Sequence, residues 1–162
     1  MREGRFREYK IPYAMRQLTL IFILVTTVLC TCKSQHAIRQ IDFTKSSRGF
    51  REELIITKDS VLILTDNARS SDSLQRISKK LDERKWSELI ATVKSLSLPE
   101  IPLYKSPTMK RTYDGALHGT LTITTMDGKT YSHGFDDENP HPKLRPLMKC
   151  ILEIRDKVTP KF

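Results

Sequence analysis

Apolar and polar side chains alternate along the chain from about residue 41. Ile41 and Phe43 stand between polar neighbours, and Phe50–Thr57 continues the period of two that is typical of β-strands. Ser60–Thr65 is apolar on both sides, which indicates a central strand covered at least in part on both faces. Turn-forming residues separate these stretches, so we predict an antiparallel meander.

Two helices are expected after the meander. Leu74–Lys80 fits a fourth strand better than an early helical turn, and Asp82 can then cap a helix. The apolar residues of that helix recur at offsets of 3, 4 and 7: Trp86, Leu89, Ile90, Val93 and Leu96. Pro99 prevents its continuation. A last helix begins near Lys143, because Pro146 is tolerated only in a first turn; its apolar stripe is Leu144, Leu147, Met148, Ile151, Ile154 and Val158.

Residues 117–135 have the pattern of a β-hairpin around Gly128. A two-residue turn would place Tyr131 and Phe135 on the face that carries the threonines. A three-residue loop with Gly128 in the left-handed conformation instead pairs Ile123 with Tyr131 and gathers the apolar side chains on one face. Because register follows the buried face, we predict the second arrangement.

These elements predict an α+β fold: an antiparallel sheet of five or six strands with two amphipathic helices packed on it. The chain has 162 residues, which is enough for one domain with its own core. We expect that domain to span residues 41–162.

The N-terminal segment has the features of an export signal. Leu18–Leu29 is an apolar run preceded by Arg16 and other basic residues. Its 12 residues are too few to cross a hydrocarbon core of roughly 30 Å, but they match the apolar region of a signal peptide. The basic stretch is unusually long, and Met15 is an alternative start.

A lipidation motif follows the apolar run. Leu29-Cys30-Thr31-Cys32 resembles a lipobox in which Cys32 is acylated, although Thr31 departs from the preferred Gly, Ala or Ser. Cys30 fits the acceptor position less well, and an ordinary secretory signal is the alternative. We therefore expect residues 1–31 to be a signal peptide, 32–40 a lipidated tether, and the membrane to be contacted through the N-terminal lipid.

The chain is basic, with a net charge of +9 and an isoelectric point near 9.6. Residues 1–31 hold five basic and two acidic residues, which leaves +6 on the rest. Export argues against nucleic acid as a partner, so anionic headgroups, acidic glycans or an acidic protein surface are the expected counterparts. The simpler interpretation is that this charge keeps the domain soluble.

Common catalytic motifs do not occur in the sequence. Phosphate loops, dinucleotide fingerprints, His-Glu-x-x-His and Gly-x-Ser-x-Gly are missing. The best metal candidate is His133 with the residues that follow: Asp136, Asp137, Glu138 and His141. The hairpin register directs His133 to the core beside Leu121 and leaves the acidic run in solvent, so we expect neither a metal nor a cofactor. His118 should point to the opposite face.

Two further residue types have a chemical and a structural interpretation. Asp114 could pair with Asp136 or Asp137 in acid–base catalysis, but Asp114-Gly115 is first of all a turn. Cys150 has no motif that would supply a base, and its place near the helical stripe favours a half-buried structural thiol.

The proline-rich stretch 99–115 is the preferred binding segment. It is long, has no sustained period, and interleaves basic and aromatic residues that are frequent at binding hot spots: Tyr104, Lys105, Lys110, Arg111 and Tyr113. The alternative is a solvated loop beside the sheet.

The chain resembles the small lipoproteins of unassigned function found in Bacteroidetes-type bacteria. The residues that carry this resemblance are Cys32-Lys33-Ser34-Gln35, the meander 50–65, Trp86, Tyr113-Asp114-Gly115 and Phe135-Asp136. The resemblance implies an outer-membrane location, and the lack of an acidic run after Cys32 favours the periplasmic side.

The sequence thus predicts a non-enzymatic binding or accessory module anchored in the cell envelope, with an envelope protein or polymer as partner. An inhibitor or immunity-type protein that uses the same segment is one alternative. An envelope hydrolase with an unfamiliar site is the other.

Overall fold

The computed structural model describes residues 37–70, 73–113 and 115–159. The strands are β1 (Ile38–Ser47), β2 (Phe50–Thr57), β3 (Ser60–Asn67), β4 (Leu74–Lys80), β5 (His118–Thr125) and β6 (Thr130–Asp136). The helices are α1 (Glu83–Lys94) and α2 (Arg145–Val158), with 3₁₀ turns at Leu98–Leu103, Lys110–Thr112 and Pro142–Leu144.

The six strands form one antiparallel sheet in the order β4-β3-β2-β1-β5-β6. This confirms the predicted α+β fold and the strand at residues 74–80. The expected tether 32–40 is too long at its C-terminal end, because β1 already begins at Ile38. Ile38 pairs with Thr125, and the Met126 N–H donates to the Ala37 carbonyl over 2.8 Å. The remaining tether and the predicted signal peptide lie outside the described residues.

One face of the sheet carries the core. Strand residues of one parity meet the apolar stripes of both helices; the fully buried side chains among them include Ile41, Phe43, Leu54, Ile56, Leu121, Ile123, Phe135, Leu89, Leu147 and Ile151. As predicted, Asp82 caps α1, where its carboxylate accepts from the Arg84 N–H over 2.7 Å.

The other face is only partly covered within the described residues. Val61 and Ile63 of β3 are buried in the core, whereas Leu62, Leu64 and the adjacent Ile55 on the opposite face are half-buried. The side chains of 60–65 that point to the helices are thus buried in the core. Those that point to the opposite face are only half-buried and, with Ile55, form an apolar strip across the sheet.

The β5–β6 hairpin has the predicted three-residue loop. Ile123 pairs with Tyr131, Leu121 pairs with His133, and Gly128 has a φ of +83°. His133 is buried on the core face, and His118 is exposed with its Nε2 3.0 Å from Ser46 Oγ. Both histidine orientations confirm the predicted register.

The sheet has two ends, which we name by the path of the chain. The entry end contains Ala37, where the described chain begins, and the β5–β6 turn hydrogen-bonded to it through Met126. The far end contains the β1–β2 turn and the paired residues His118 and Asp136. Strand β5 runs from the far end to the entry end, a length of about 23 Å for seven residue steps of about 3.3 Å.

Candidate functional site

The segment between α1 and β5, residues 98–116, is here called the connection. It begins with a 3₁₀ turn at Leu98–Leu103, in which Leu98 and Ile101 are buried against the core and the turn packs on β6. No helical or strand period is visible in this stretch, because a short 3₁₀ turn with two prolines repeats no pattern. The expectation of a long irregular loop is therefore wrong for its first part.

Tyr104 continues the attachment through ring contacts. Its ring stacks on His141 with centroids 4.4 Å apart and meets His133 edge-on at 6.2 Å. Lys143 Nζ lies over the Tyr104 ring, 5.4 Å from its centroid, and also pairs with Glu100 at 3.3 Å. The Tyr104 ring is therefore engaged by contacts within the domain.

A buried carboxylate holds the middle of the connection. Asp136, at the end of β6, has no solvent exposure, and its Oδ2 accepts a hydrogen bond from the Thr108 hydroxyl and another from the Lys110 N–H over 2.8 Å. Lys110 Nζ then pairs with Asp137 over 2.9 Å, and this hydrogen bond raises the pKa of Lys110 above its ordinary value. The expectation that the acidic run lies in solvent is thus wrong for Asp136, because its carboxylate is consumed in fixing the connection.

Glu138 also differs from that expectation. With Lys45, Glu52 and Arg155 it forms a charge cluster at the edge of the core: Lys45 Nζ lies 3.2 Å from Glu52 Oε1 and 3.1 Å from Glu138 Oε1. Arg155 also donates to Glu138. Lys45 and Glu52 are within ion-pair distance, but their geometry is not that of a hydrogen bond. Glu52 Oε1 is buried and has no hydrogen-bond partner within the described residues. The cluster ties β1, β2 and α2 together.

Apolar side chains remain exposed on the connection despite this attachment. Among the described residues, five large hydrophobic side chains are exposed, and three of them lie here: Leu103 (78%), Met109 (58%) and Tyr113 (74%). Met109 and Tyr113 belong to the same short turn, in which the Tyr113 N–H donates to Lys110 O over 2.9 Å and the Thr112 N–H to Met109 O over 3.1 Å. The connection thus combines a fixed backbone with an apolar surface.

The five residues predicted for binding have different positions. Tyr113 and Lys105 are exposed, and within the described residues Lys105 takes part in no ion pair. Tyr104 and Lys110 have the partners given above, and Arg111 lies in the second 3₁₀ turn. Leu103 and Met109 were missed because isolated apolar residues in a loop carry no periodic signal. Cys32 and Asp114 lie outside the described residues.

The predicted metal candidates are used in other contacts. His133 is buried, stacks against Phe135 with centroids 5.6 Å apart, and its Nε2 accepts from the His141 N–H over 3.4 Å. Asp136 holds the connection, and Glu138 belongs to the charge cluster. Over residues 37–70, 73–113 and 115–159, no three His, Cys, Asp or Glu side chains converge in a manner that would hold a metal ion.

Two further titratable side chains, Asp42 and Cys150, have a pKa that is raised by burial. Burial raises the pKa of Asp42, against the hydrogen bond that Gln40 donates over 2.7 Å, but Asp42 lies on the open face of the sheet. Burial likewise raises the pKa of the half-buried Cys150 thiol, which disfavours the reactive thiolate. A depression of about 640 Å³ lies at the entry end, away from the connection, and is lined by Lys58, Asp59, Lys80, Leu81, Asp82 and Glu83. Asp82 is already committed to capping α1.

Neither α1 nor α2, within the described part of the chain, has the length and apolarity that a bilayer-spanning helix requires. Comparison with known proteins gave no significant match to a protein-family model, a curated protein or a solved structure.

Proposed function

We propose that this chain is an exported, non-enzymatic binding module, anchored through a lipid on Cys32, whose binding surface is the connection. The observation that carries the proposal is the exposure of Leu103, Met109 and Tyr113 on a segment whose backbone is fixed by buried Asp136. Three of the five large hydrophobic side chains that are exposed within the described residues lie on this one segment, and this concentration supports an interaction site.

The fixed backbone favours binding for an energetic reason. Ordering a mobile loop on association costs free energy, and a loop that is already ordered avoids most of that cost. Tyrosine is enriched at binding hot spots, and methionine adapts its shape to irregular apolar partners. Tyr113 and Met109 therefore suit the centre of an interface.

The proposed address comes from the N-terminal sequence. The apolar run Leu18–Leu29 followed by Cys32 fits an acylated, exported protein. Because Lys33-Ser34-Gln35 contains no acidic residue, we place the module at the outer membrane, facing the periplasm.

An in-cell crosslinking pull-down tests the proposal. The variant Met109→Ala/Tyr113→Ala should lose an envelope partner that the native protein captures stoichiometrically. Removal of two hot-spot residues costs about 3 kcal/mol of binding free energy, or roughly a hundredfold in affinity. Tyr104 is left intact, since its ring packs on His141 and His133 and its replacement would also disturb the fold. Lys110 is left intact because its ammonium group already pairs with Asp137.

The matched control is Leu74→Ala/Met126→Ala, which removes two equally exposed apolar side chains elsewhere. It should retain the partner. Equal capture by both variants would contradict the connection as binding surface. The anchor is tested separately by mass analysis of the N-terminal peptide and by Cys32→Ala, which should leave the precursor uncleaved and without lipid.

A further inference from the structure

The topology separates the connection from the point where the chain enters the domain. Ala37 is hydrogen-bonded to Met126 at the entry end, whereas Asp136, which holds Thr108 and Lys110, lies at the far end. The two ends are joined by β5, over about 23 Å. Any tether that precedes Ala37 is therefore attached at the end of the sheet opposite to the connection.

The proposed tether is short compared with that distance. Five residue steps separate Cys32 from Ala37, and a fully extended chain covers about 18 Å over five steps of about 3.6 Å. The entry end can therefore lie no farther than about 18 Å from the residue proposed to carry the lipid. The part of the connection held by Asp136 lies a sheet length beyond the entry end.

The chemistry of the connection narrows the kind of partner. Its exposed large hydrophobic side chains are Leu103, Met109 and Tyr113. Lys110 pairs with Asp137, whereas Lys105 is exposed and, within the described residues, takes part in no ion pair. A polysaccharide has no extended apolar surface to match Leu103 and Met109. Lys105 adds a positive charge beside these side chains, and a carboxylate on the partner would complement it.

We infer that the connection faces away from the anchoring membrane and binds another protein there, through an apolar cleft with carboxylates at its rim. The inference rests on the proposed tethered binding module and adds to it the direction of the surface and the chemistry of the partner. Tyr113 and Met109 fill the cleft, and Lys105 pairs with the rim.

The direction is tested on the acylated protein reconstituted in vesicles of phosphatidylethanolamine and phosphatidylglycerol. Single fluorophores are placed by Met126→Cys at the entry end, by Met109→Cys on the connection, and by Leu74→Cys at the far end on the opposite edge of the sheet, each with Cys150→Ser. Headgroup-attached quenchers should quench the Met126 site several-fold more than the other two. Quenching at Met109 equal to or above that at Met126 would overturn the direction; if Leu74 were protected at the same time, the connection would be a membrane contact.

The partner chemistry is tested by charge at position 105. In the crosslinking assay, Lys105→Glu should weaken capture about tenfold more than Lys105→Ala, because it places like charges together. Capture that is unchanged or strengthened by Lys105→Glu would overturn the acidic rim. Mass analysis of the same protein distinguishes failure of the proposed tether from failure of the inferred direction. A chain without lipid overturns both. A lipidated chain that is quenched at Met109 overturns the direction alone.

Discussion

The β5–β6 turn and the connection are held in place by different kinds of contact. The β5–β6 turn is built from neighbours: the Gly128 N–H donates to Thr125 O over 3.0 Å, and Asp127 accepts from the Thr125 hydroxyl and pairs with Lys129 over 3.1 Å. These contacts lower the pKa of Asp127 to about 2. The connection is held instead by Asp136, which is 28 residues from Thr108 and 26 from Lys110.

The difference separates local from long-range determinants of structure. A turn whose partners are two to four residues apart forms with the strands it joins, and little else is needed. A segment fixed by a distant carboxylate is ordered only when the sheet is complete. Its apolar side chains are therefore presented only by the folded domain.

The largest effect is expected from Asp136→Ala. Removal of the carboxylate leaves the Thr108 hydroxyl and the Lys110 N–H without their acceptor, at a cost of about 3 kcal/mol in the free energy of unfolding. Urea denaturation measures that loss, and limited proteolysis should show cleavage within residues 104–113. Asp136→Asn keeps one acceptor oxygen and should lose less. A connection that stays protected in Asp136→Ala would show that Leu98, Ile101 and Tyr104 suffice to hold it.

An intermediate effect is expected at the charge cluster, which is also long-range. Burial alone would raise the pKa of Glu138, but hydrogen bonds from Arg155 and Lys45 outweigh it and hold the pKa below its ordinary value. A carboxyl whose pKa is lowered by folding stabilises the fold above its unfolded pKa, near 4.5, and loses that contribution as the pH falls through the folded value. Stability should therefore decline below about pH 4.5.

Glu138→Gln isolates that contribution. At neutral pH it should lower the free energy of unfolding by about 1.5 kcal/mol, because charge-assisted hydrogen bonds are lost. Thermal denaturation between pH 7 and pH 3 should show a shallower acid decline for the variant than for the native protein. Parallel acid limbs would assign the decline to other carboxylates.

The smallest effect is expected in the β5–β6 turn. Gly128→Ala places a side chain at a φ of +83° and should cost about 1 kcal/mol without exposing the connection to protease. Gly134→Ala is the matched control in the same hairpin, since no atom lies within 4 Å of the added Cβ and the backbone there is ordinary. If Gly128→Ala cost no more than Gly134→Ala, the left-handed bulge would not govern the hairpin.

The same division explains what the sequence allowed us to predict. The hairpin register followed from Gly128 and the apolar face, the first helix from Asp82 and its stripe, and the sheet from alternation in the meander. Each of these signals lies within one element or between neighbours in the chain. The fold class could therefore be predicted nearly in full.

The site could be predicted only by its location. Proline content and basic–aromatic composition singled out the stretch 99–115, but not which side chains would face solvent. The acidic run appeared solvent-exposed because the partners that bury Asp136 lie in a distant segment. Tyr104 and Lys110 had the composition of binding residues, and only tertiary contacts with His141 and Asp137 show that they are occupied within the domain.

The contact between Asp136 and Lys110 has a consequence for how this surface can diversify. The carboxylate binds the main-chain N–H of residue 110, a group that every amino acid except proline provides. The side chain at position 110 can therefore change without loss of that hydrogen bond, and the 74% exposed side chain at position 113 meets little of the domain. Sequence variants of this segment can thus acquire new partners while the backbone geometry is inherited unchanged, and the same property makes it a site for grafting recognition sequences by design.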